Sequence, residues 1–343
     1  MIGKFKRTIR NYYDTRIAFS KIGNLFYLLE NRNKTKPCND DYTEYSITGK
    51  IINIDFLIAT QSKGLLLYSN GKIVKLFNQK GFYGITKNSN RFFTFHKTGM
   101  HGNIISFKIQ NNRAYDVKIV IKGFSRGIHQ IDFIDADLYV TNTYDNSILI
   151  YKNASSIQNL HWKKYDKIIY PNKKLNRGRK SSNYNHFNSI FRYQDKIYLI
   201  AHNETKKTKR ASEVYSLDIT DHSTLKLEKT KGSNCHNIYI NNTEKMYCNS
   251  LKGTLNINGE NIISHKNIFT RGLSISDKYL ILGGSDLQPN RLKRDKTNGY
   301  IYIYDSQRSL KQTILIQNTQ IQEINMLDNE RTLSNFIENK ANL

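Results

Sequence analysis

Nine histidines are spread over the 343 residues, and several recur at matched places in a repeated pattern. His129 opens HQIDFIDADLYVTNT, His236 opens HNIYINNTEKMYCNS, and His186 stands two residues ahead of Asn188 in NYNHFNSIFRY. Neutral imidazoles that converge from distant parts of a chain are ligands for a divalent transition metal such as Zn, Fe or Mn. Three protein ligands and an open fourth position would let that metal activate water or polarise a substrate oxygen. The position held by His129 and His236 is held in other copies by Tyr83, Asn188, Arg271 and Gln322. An arginine such as Arg271 grips carboxylate or phosphate in two-pronged geometry. Tyr83 can serve as acid, base or simple donor. Asn188 and Gln322 would bind substrate by hydrogen bonds, with Arg291 and Arg294 of NRLKRDK adding charge. A competing reading is that polar residues at such places hold ordered water and tie neighbouring elements together.

The pattern that positions these residues is a repeat of short strands. Copies begin at Tyr83, His129, Asn188, His236 and Arg271, with a half-copy at Gln322. Each has an opening strand, a polar turn, a second strand ending in small polar residues, and a third strand such as SILIYK or GYIYIYD. Alternation in IYLIAHN, LYVTNT and YIYIYD supports strand over helix. Fourth strands are less clear, with DVKIVI and QTILIQ as candidates. Starts spaced about 35 to 60 residues apart suit four-stranded blades with variable loops. The segment FLIATQSKGLLLYSNGKIVKLF looks like a blade lacking its first strand, and QEINMLDNE like a first strand lacking its blade. Joining them closes a ring and removes its free edges. The fold expected is all-β: a six-bladed β-propeller closed by strands from both chain ends, with five or seven blades as counting alternatives. Another all-β fold with similar strand spacing is the remaining option. The propeller would span residues 48–330, with a tail at 331–343. Residues 1–47 form an extension, read as an extra strand or a cap.

In a propeller the first strand of each blade lines the central channel. The residues that open the repeats therefore ring one mouth, here called the top. A second set closes the second strands: His96, Asn142 with Thr143, His202 with Asn203, Asn249 with Ser250, and Ser285. Such residues usually satisfy turn backbone groups; orienting the ring imidazoles is their alternative role. His101, His161, His222 and His265 are expected in loops or on the surface. Three basic stretches, at 172–182, 203–212 and 290–296, fall in loops on the same face. A basic rim would steer anions to the mouth.

Composition narrows the partners. Formal net charge is +25, from 53 basic and 28 acidic residues, which favours anions. The partner expected is an anionic small molecule or an acidic polymer. Nucleic acid is the less favoured option, because no recognised binding motif is visible. The three cysteines, Cys38, Cys235 and Cys248, form no metal-type pair or disulfide framework, so a reducing, cytoplasmic setting is expected. No run of about 18 apolar residues exists to cross a membrane, and a monomer is expected. No paired carboxylates, GxSxG elbow, P-loop or dinucleotide fingerprint occurs.

One histidine per blade at a channel mouth resembles the layout of metal-dependent propeller enzymes. These include carotenoid-cleaving oxygenases, amidating lyases and some lyases of polysaccharides and antibiotics. The likeness implies lyase, hydrolase or oxygenase chemistry, with His129, His186 and His236 on the metal, Arg271 anchoring substrate and Tyr83 assisting. The ring lacks the acidic ligands of gluconolactonase-type propellers, and the repeats lack the glycine-led signature of the NHL group. A non-catalytic propeller that docks an acidic protein, polymer or nucleic acid is the alternative function.

Overall fold

The computed structural model describes residues 35–99, 101–125, 127–172 and 184–327, and they form a six-bladed β-propeller. Blade 1 joins the two ends of the repeat. Its inner strand is Ile321–Met326, followed outward by Phe56–Thr60, Leu65–Ser69 and Lys72–Phe77. Blade 2 comprises Phe82–Asn88, Arg91–Thr98, His101–Gln110 and Arg113–Ser125, with Leu160–His161 added in parallel at its outer edge. The inner strands of blades 3 to 6 are Ile128–Ile134, Phe187–Tyr193, His236–Ile240 and Ile268–Ile275. Both predicted fourth strands exist, within Arg113–Ser125 and Leu310–Ile316. Among the described residues no helix is long and apolar enough to cross a membrane.

Ring closure has two parts. Ile321–Met326 pairs antiparallel with Phe56–Thr60, a junction of residues more than 250 positions apart. The residues before the propeller then strap the outside. Asp40–Asp41 pairs with the outer strand of blade 1 and Tyr45–Gly49 with that of blade 6. One short segment thus covers two exposed sheet edges on either side of the seam. The boundary expected at residue 47 falls within the second of these strands. Residues 1–34 and 328–343, with the tail at 331–343, lie outside the described residues.

Six apolar clusters hold the blades, one in each seam between neighbours. Ile58, Leu66, Ile281, Ile303 and Ile324 fill the seam between blades 6 and 1. Phe77, Phe82 and Phe107 pack between blades 1 and 2, with ring centroids 5.3–5.7 Å apart. The core is therefore a circle of interfaces between sheets, and the low apolar content is met by burying many aromatic rings.

Closer to the axis, every inner strand carries an irregularity near its start. The register shifts occur at Tyr83/Ile85, Ile128/Ile131, Phe187/Ser189, His236/Ile238, Thr270/Leu273 and Ile321/Glu323. A bulge leaves one residue without a ladder partner and re-aims its side chain. Gln130 N in the third blade is bonded by Thr141 Oγ1 of its own blade, whereas other backbone N–H groups at or beside the bulges are bonded by the preceding blade around the ring. Gln130 Oε1 accepts from Ile190 N at 2.8 Å, Ser189 Oγ from Asn237 N at 2.7 Å, and Asn237 Oδ1 from Gly272 N at 2.8 Å. A deeper tier repeats the device: Thr86 Oγ1 accepts from Phe133 N and Ser274 Oγ from Met326 N. Gly84 has a φ of +51°, and a Cβ there would stand 2.9 Å from Ile131 N; only glycine admits the neighbouring strand so closely.

Asn237 is buried and donates through Nδ2 to the Glu323 carboxylate at 2.9 Å as well as accepting from Gly272. Replacing it with alanine strands a buried N–H and deprives a buried carboxylate of a donor. Asn237→Ala is expected to lower unfolding free energy by about 1–3 kcal/mol, toward the upper end because one partner is charged. Urea denaturation checks this against Ile262→Ala, at an exposed site, which should shift stability by no more than about 0.5 kcal/mol.

Candidate functional site

The starts of three inner strands and the end of one second strand bring four imidazoles into a row at the top mouth. Ring centroids of His129 and His186 lie 4.8 Å apart, those of His186 and His202 4.5 Å, and those of His202 and His236 5.1 Å. Tyr83 and Arg271 join at the His129 end. The Tyr83 and His129 ring centroids are 6.1 Å apart, and the Arg271 guanidinium stands 5.8 Å from the Tyr83 ring centre. Arg271 Nη2 donates to His129 Nδ1 at 3.2 Å. Phe269 closes the other end, 5.4 Å from His236. The sequence-predicted residues Tyr83, His129, His186, His236 and Arg271 thus form one constellation.

His202 is the member that the sequence reading placed in the second set. It ends the second strand of blade 4, and that end rises to the same mouth as the inner-strand starts. Its signal was present in IYLIAHN, where a histidine closes the second strand as His96 does in blade 2, in place of the Asn or Ser of the other blades. Its companions have structural roles. Asn203 Nδ2 donates to Ala211 O, Asn249 Oδ1 accepts from Ser233 N, and Ser285 Oγ accepts from Ile321 N. Thr143 Oγ1 donates to Phe187 O in the next blade. Ser250 is different, because its Oγ lies 2.9 Å from His236 Nδ1 and fixes that ring.

Three of the four residues expected to bind substrate have other contacts. Asn188 is buried; its Nδ2 donates to Cys235 O and its Oδ1 accepts from Ser189 Oγ. The bulge between Phe187 and Ser189 turns it toward blade 5, making it a blade-to-blade tie. Gln322 is also buried, with Nε2 donating to Gln61 Oε1 at 3.3 Å. Arg294 sits in the short helix Arg291–Lys296, donates to Gln288 O, and is near enough to Arg271 to repel its charge. The side chain of Arg291 lies outside the described ones.

His101 corrects an expectation. It lies on the third strand of blade 2 and is buried, not on the surface. His222 contacts the Tyr139 hydroxyl and Lys167, and His265 stacks on Tyr302 at 3.6 Å. Both are partly exposed and stand away from the row.

Hydrogen bonds assign the ring nitrogens. Nδ1 of His129 accepts from a guanidinium and Nδ1 of His202 accepts from Glu204 N at 3.0 Å. An imidazole whose Nδ1 accepts carries its proton on Nε2. His236 Nδ1 is 2.9 Å from Asn234 O, so it donates there and leaves Nε2 bare. Burial holds His236 well below the usual imidazole range, and Arg271, His202 and His129 add repulsion. His186 Nδ1 meets Tyr184 Oη at 3.0 Å and Glu204 Oε1 at 3.7 Å. Glu204 also lies 3.6 Å from Lys207 Nζ.

This donor set does not suit a shared metal ion. A guanidinium bonds one of the three expected ligands, and a cation beside it would be repelled. Among the described residues no group of three or more His, Cys, Asp or Glu is disposed to hold one. What the row offers instead is N–H groups and positive charge at one end, with ionisable rings along its length.

The loops around the mouth carry the same sign. Lys63, Lys80, Lys231, Lys252 and Lys266 lie on this face beside 203–212 and 290–296, whereas its carboxylates are Glu44, which pairs with Lys63, and Asp145, Glu204 and Asp295 among the described loop residues. The opposite face holds Asp55, Asp135, Asp195, Glu244 and Asp277 in its turns. There Arg192 pairs with Asp135, and Arg308 with Glu244. Of the third basic stretch only Asn172 is described. A separate shallow groove lies beside the strap, lined by Tyr42, Tyr45, Ile47 and Lys72, and contains none of these groups.

His96, the blade 2 member of the second set, stays outside the row. It stacks on Phe82 at 4.5 Å, its Nδ1 lies 2.7 Å from Thr35 Oγ1, and burial pushes it down to about 4. Between pH 6.5 and 4 the unfolded chain therefore binds a proton that the folded chain does not. The resulting stability is complete above pH 6.5 and is lost as pH falls toward 4. Urea unfolding at pH 7 and pH 4.5 should show a smaller acid loss for His96→Gln than for the unchanged protein.

No family model matches the chain, and no curated protein matches it. Solved structures share its architecture. A protein from Lactobacillus plantarum is 10% identical, with 81% of this chain and 100% of that chain covered and a TM-score of 0.52. TolB from Acinetobacter baumannii is 10% identical over 80% of this chain and 66% of that one, with a TM-score of 0.50. A candidate 6-phosphogluconolactonase from Bacteroides fragilis is 12% identical over 80% and 98%, with a TM-score of 0.49. What they share with this chain is the propeller fold.

Proposed function

We propose that the top mouth of the channel binds a small anionic ligand through Arg271 and the imidazole row. The observation that carries this reading is the Arg271 guanidinium, set among neutral rings at the head of that row. Burial and the repulsion of Arg294 work against its charge, while the Glu323 carboxylate nearby supports it. A cation held at such a cost in a channel mouth is suited to an incoming phosphate or carboxylate. The Nε2–H groups of His129 and His202 supply further donors to the same ligand. Tyr83 packs against both Arg271 and His129 and is placed to donate a third bond. The basic loops draw anions toward the mouth and weaken in effect as salt rises.

The row also gives the site acid–base groups, which is the part of the enzyme expectation that survives without a metal. A hydrolase or lyase using His186 or His236 to move protons would act on the ligand bound there. The non-catalytic alternative uses the same contacts and the same rim, and both readings begin with anion binding.

The test is calorimetric titration of the full chain with inorganic phosphate and, separately, citrate, for the unchanged protein and for Arg271→Gln. Binding of at least one anion is expected, weakened tenfold or more by the substitution, with elemental analysis showing no stoichiometric Zn, Fe or Mn. Equal affinity in the two proteins would overturn the proposal, as would failure of both anions to bind. One equivalent of metal per chain would restore the metal reading.

A further inference from the structure

We infer that the site takes a tetrahedral dianion of the phosphate-monoester class together with one proton, and that His186 carries that proton. This rests on the anion-binding reading above and adds to it the ligand's charge and the proton's address.

The four rings do not have equal freedom to be doubly protonated. His129 and His202 each use Nδ1 to accept a hydrogen bond, from Arg271 and from Glu204 N. A second proton on either ring would turn that acceptor into a donor and set it against an N–H. His236 keeps a bare Nε2, yet it is the most enclosed of the set and faces the charge of Arg271. Among the described residues His186 is the ring of the four whose Nδ1 faces a carboxylate, with Glu204 Oε1 at 3.7 Å beside the Tyr184 hydroxyl at 3.0 Å; the Nδ1 of His236 meets only a carbonyl and a hydroxyl. With Nδ1–H directed to Glu204, Nε2 of His186 can hold a second proton toward the ligand.

The charges around His186 fix when that proton arrives. Blade 6 and its loop bring Arg271 and Arg294, blade 2 brings Tyr83, and the blade 4 loop brings Glu204 with Lys207. Tyr184 lies at its side, and Glu323 lies deeper, near Arg271. Without ligand, a charged His186 would share the mouth with two guanidinium groups, and like charges oppose its protonation. A dianion reverses the sign of the field. One negative charge is met by Arg271 and the second is met by creating an imidazolium, so binding and protonation favour each other. A monoanion is already balanced by Arg271 and gains little from the extra proton. The loop that supplies Glu204 is built for a fixed position. Asn203, Glu204 and Lys209 all have positive φ, and Thr208 Oγ1 donates to Asn203 O.

Sulfate is the probe, because it stays doubly charged across the pH range and contributes no protons of its own. Calorimetry at pH 8, 7 and 6, in buffers of different ionisation enthalpy, should show affinity rising about tenfold per pH unit at most, with up to one proton taken up. Acetate, a monoanion, should show little dependence over the same range. His186→Gln should flatten the sulfate profile, and Glu204→Gln should shallow it. If sulfate, phosphate and citrate all fail to bind at every pH, the anion-binding reading itself falls; if citrate alone binds, only the present inference falls. If sulfate binds with no proton uptake, or His186→Gln keeps the slope, only the proton-linked inference falls.

Discussion

The constraint on which the mouth depends is the circular tie between inner strands. Each inner strand breaks register near its start, and at Asn237 and Gly272 the backbone donor exposed by that break is met by a side-chain oxygen of the adjoining blade. A buried N–H left without a partner would cost about 1–3 kcal/mol, so the ties are a condition of having bulges at all. The bulges in turn swing the residues ahead of them toward the axis. Remove the circle of ties and the imidazoles would point along separate sheets. The last inner strand must be supplied by the far end of the chain before the circle exists, so the site assembles only when the ring closes.

The seams and the axis divide the chemistry cleanly. Apolar residues at the second and third strands pack blade on blade, and polar residues on the inner strands are left for the channel. Glu323 shows how the two needs meet. It is flanked in neighbouring blades by Gly84 and Gly272 at the equivalent place, and so it has room to reach past blade 6 to Asn237. Its carboxylate beneath the mouth supports the charge of Arg271 above. The cation is thus retained without a direct ion pair closing off its donors to a ligand.

Much of this was legible from period alone. Tyr83, His129, His236 and Arg271 share one place in the repeat, and strand alternation fixed which end of the blade that place occupies. Closure was legible because two incomplete blades at opposite ends complement one another. Other features leave no such trace. The outer strands Thr224–Lys229 and Glu260–Ser264 are short edge strands with exposed apolar residues such as Leu227 and Ile262, and the second lacks apolar alternation. The strap at Tyr45–Gly49 is similarly exposed, so the sequence left it open between an extra strand and a cap. Asn188 occupies the repeat position of His129 but is turned aside, because a local bulge decides a side chain's direction and the repeat only its depth. His202 was misplaced for the converse reason: a second-strand end and an inner-strand start reach the same height, and only packing reveals that their rings touch.

Why should a row of imidazoles sit beside an arginine at all? For a metal site the arrangement is poor, since the guanidinium both repels the ion and occupies a ligand nitrogen. For an anion site it is economical. Arg271 gives permanent charge, and the rings give charge only on demand, so the empty mouth avoids crowding several cations into one enclosed space. The surrounding loops extend the same logic outward. Both faces hold ion pairs, Arg192 with Asp135 below and Lys63 with Glu44 above, but basic residues outnumber carboxylates in the described loops of the top face. Attraction at long range is screened within about 8 Å at physiological salt, so the rim can gather anions but cannot choose among them. Selection falls to the groups inside the mouth: Arg271 for negative charge, the Nε2–H donors for oxygen, and His186 with Glu204 for the second charge.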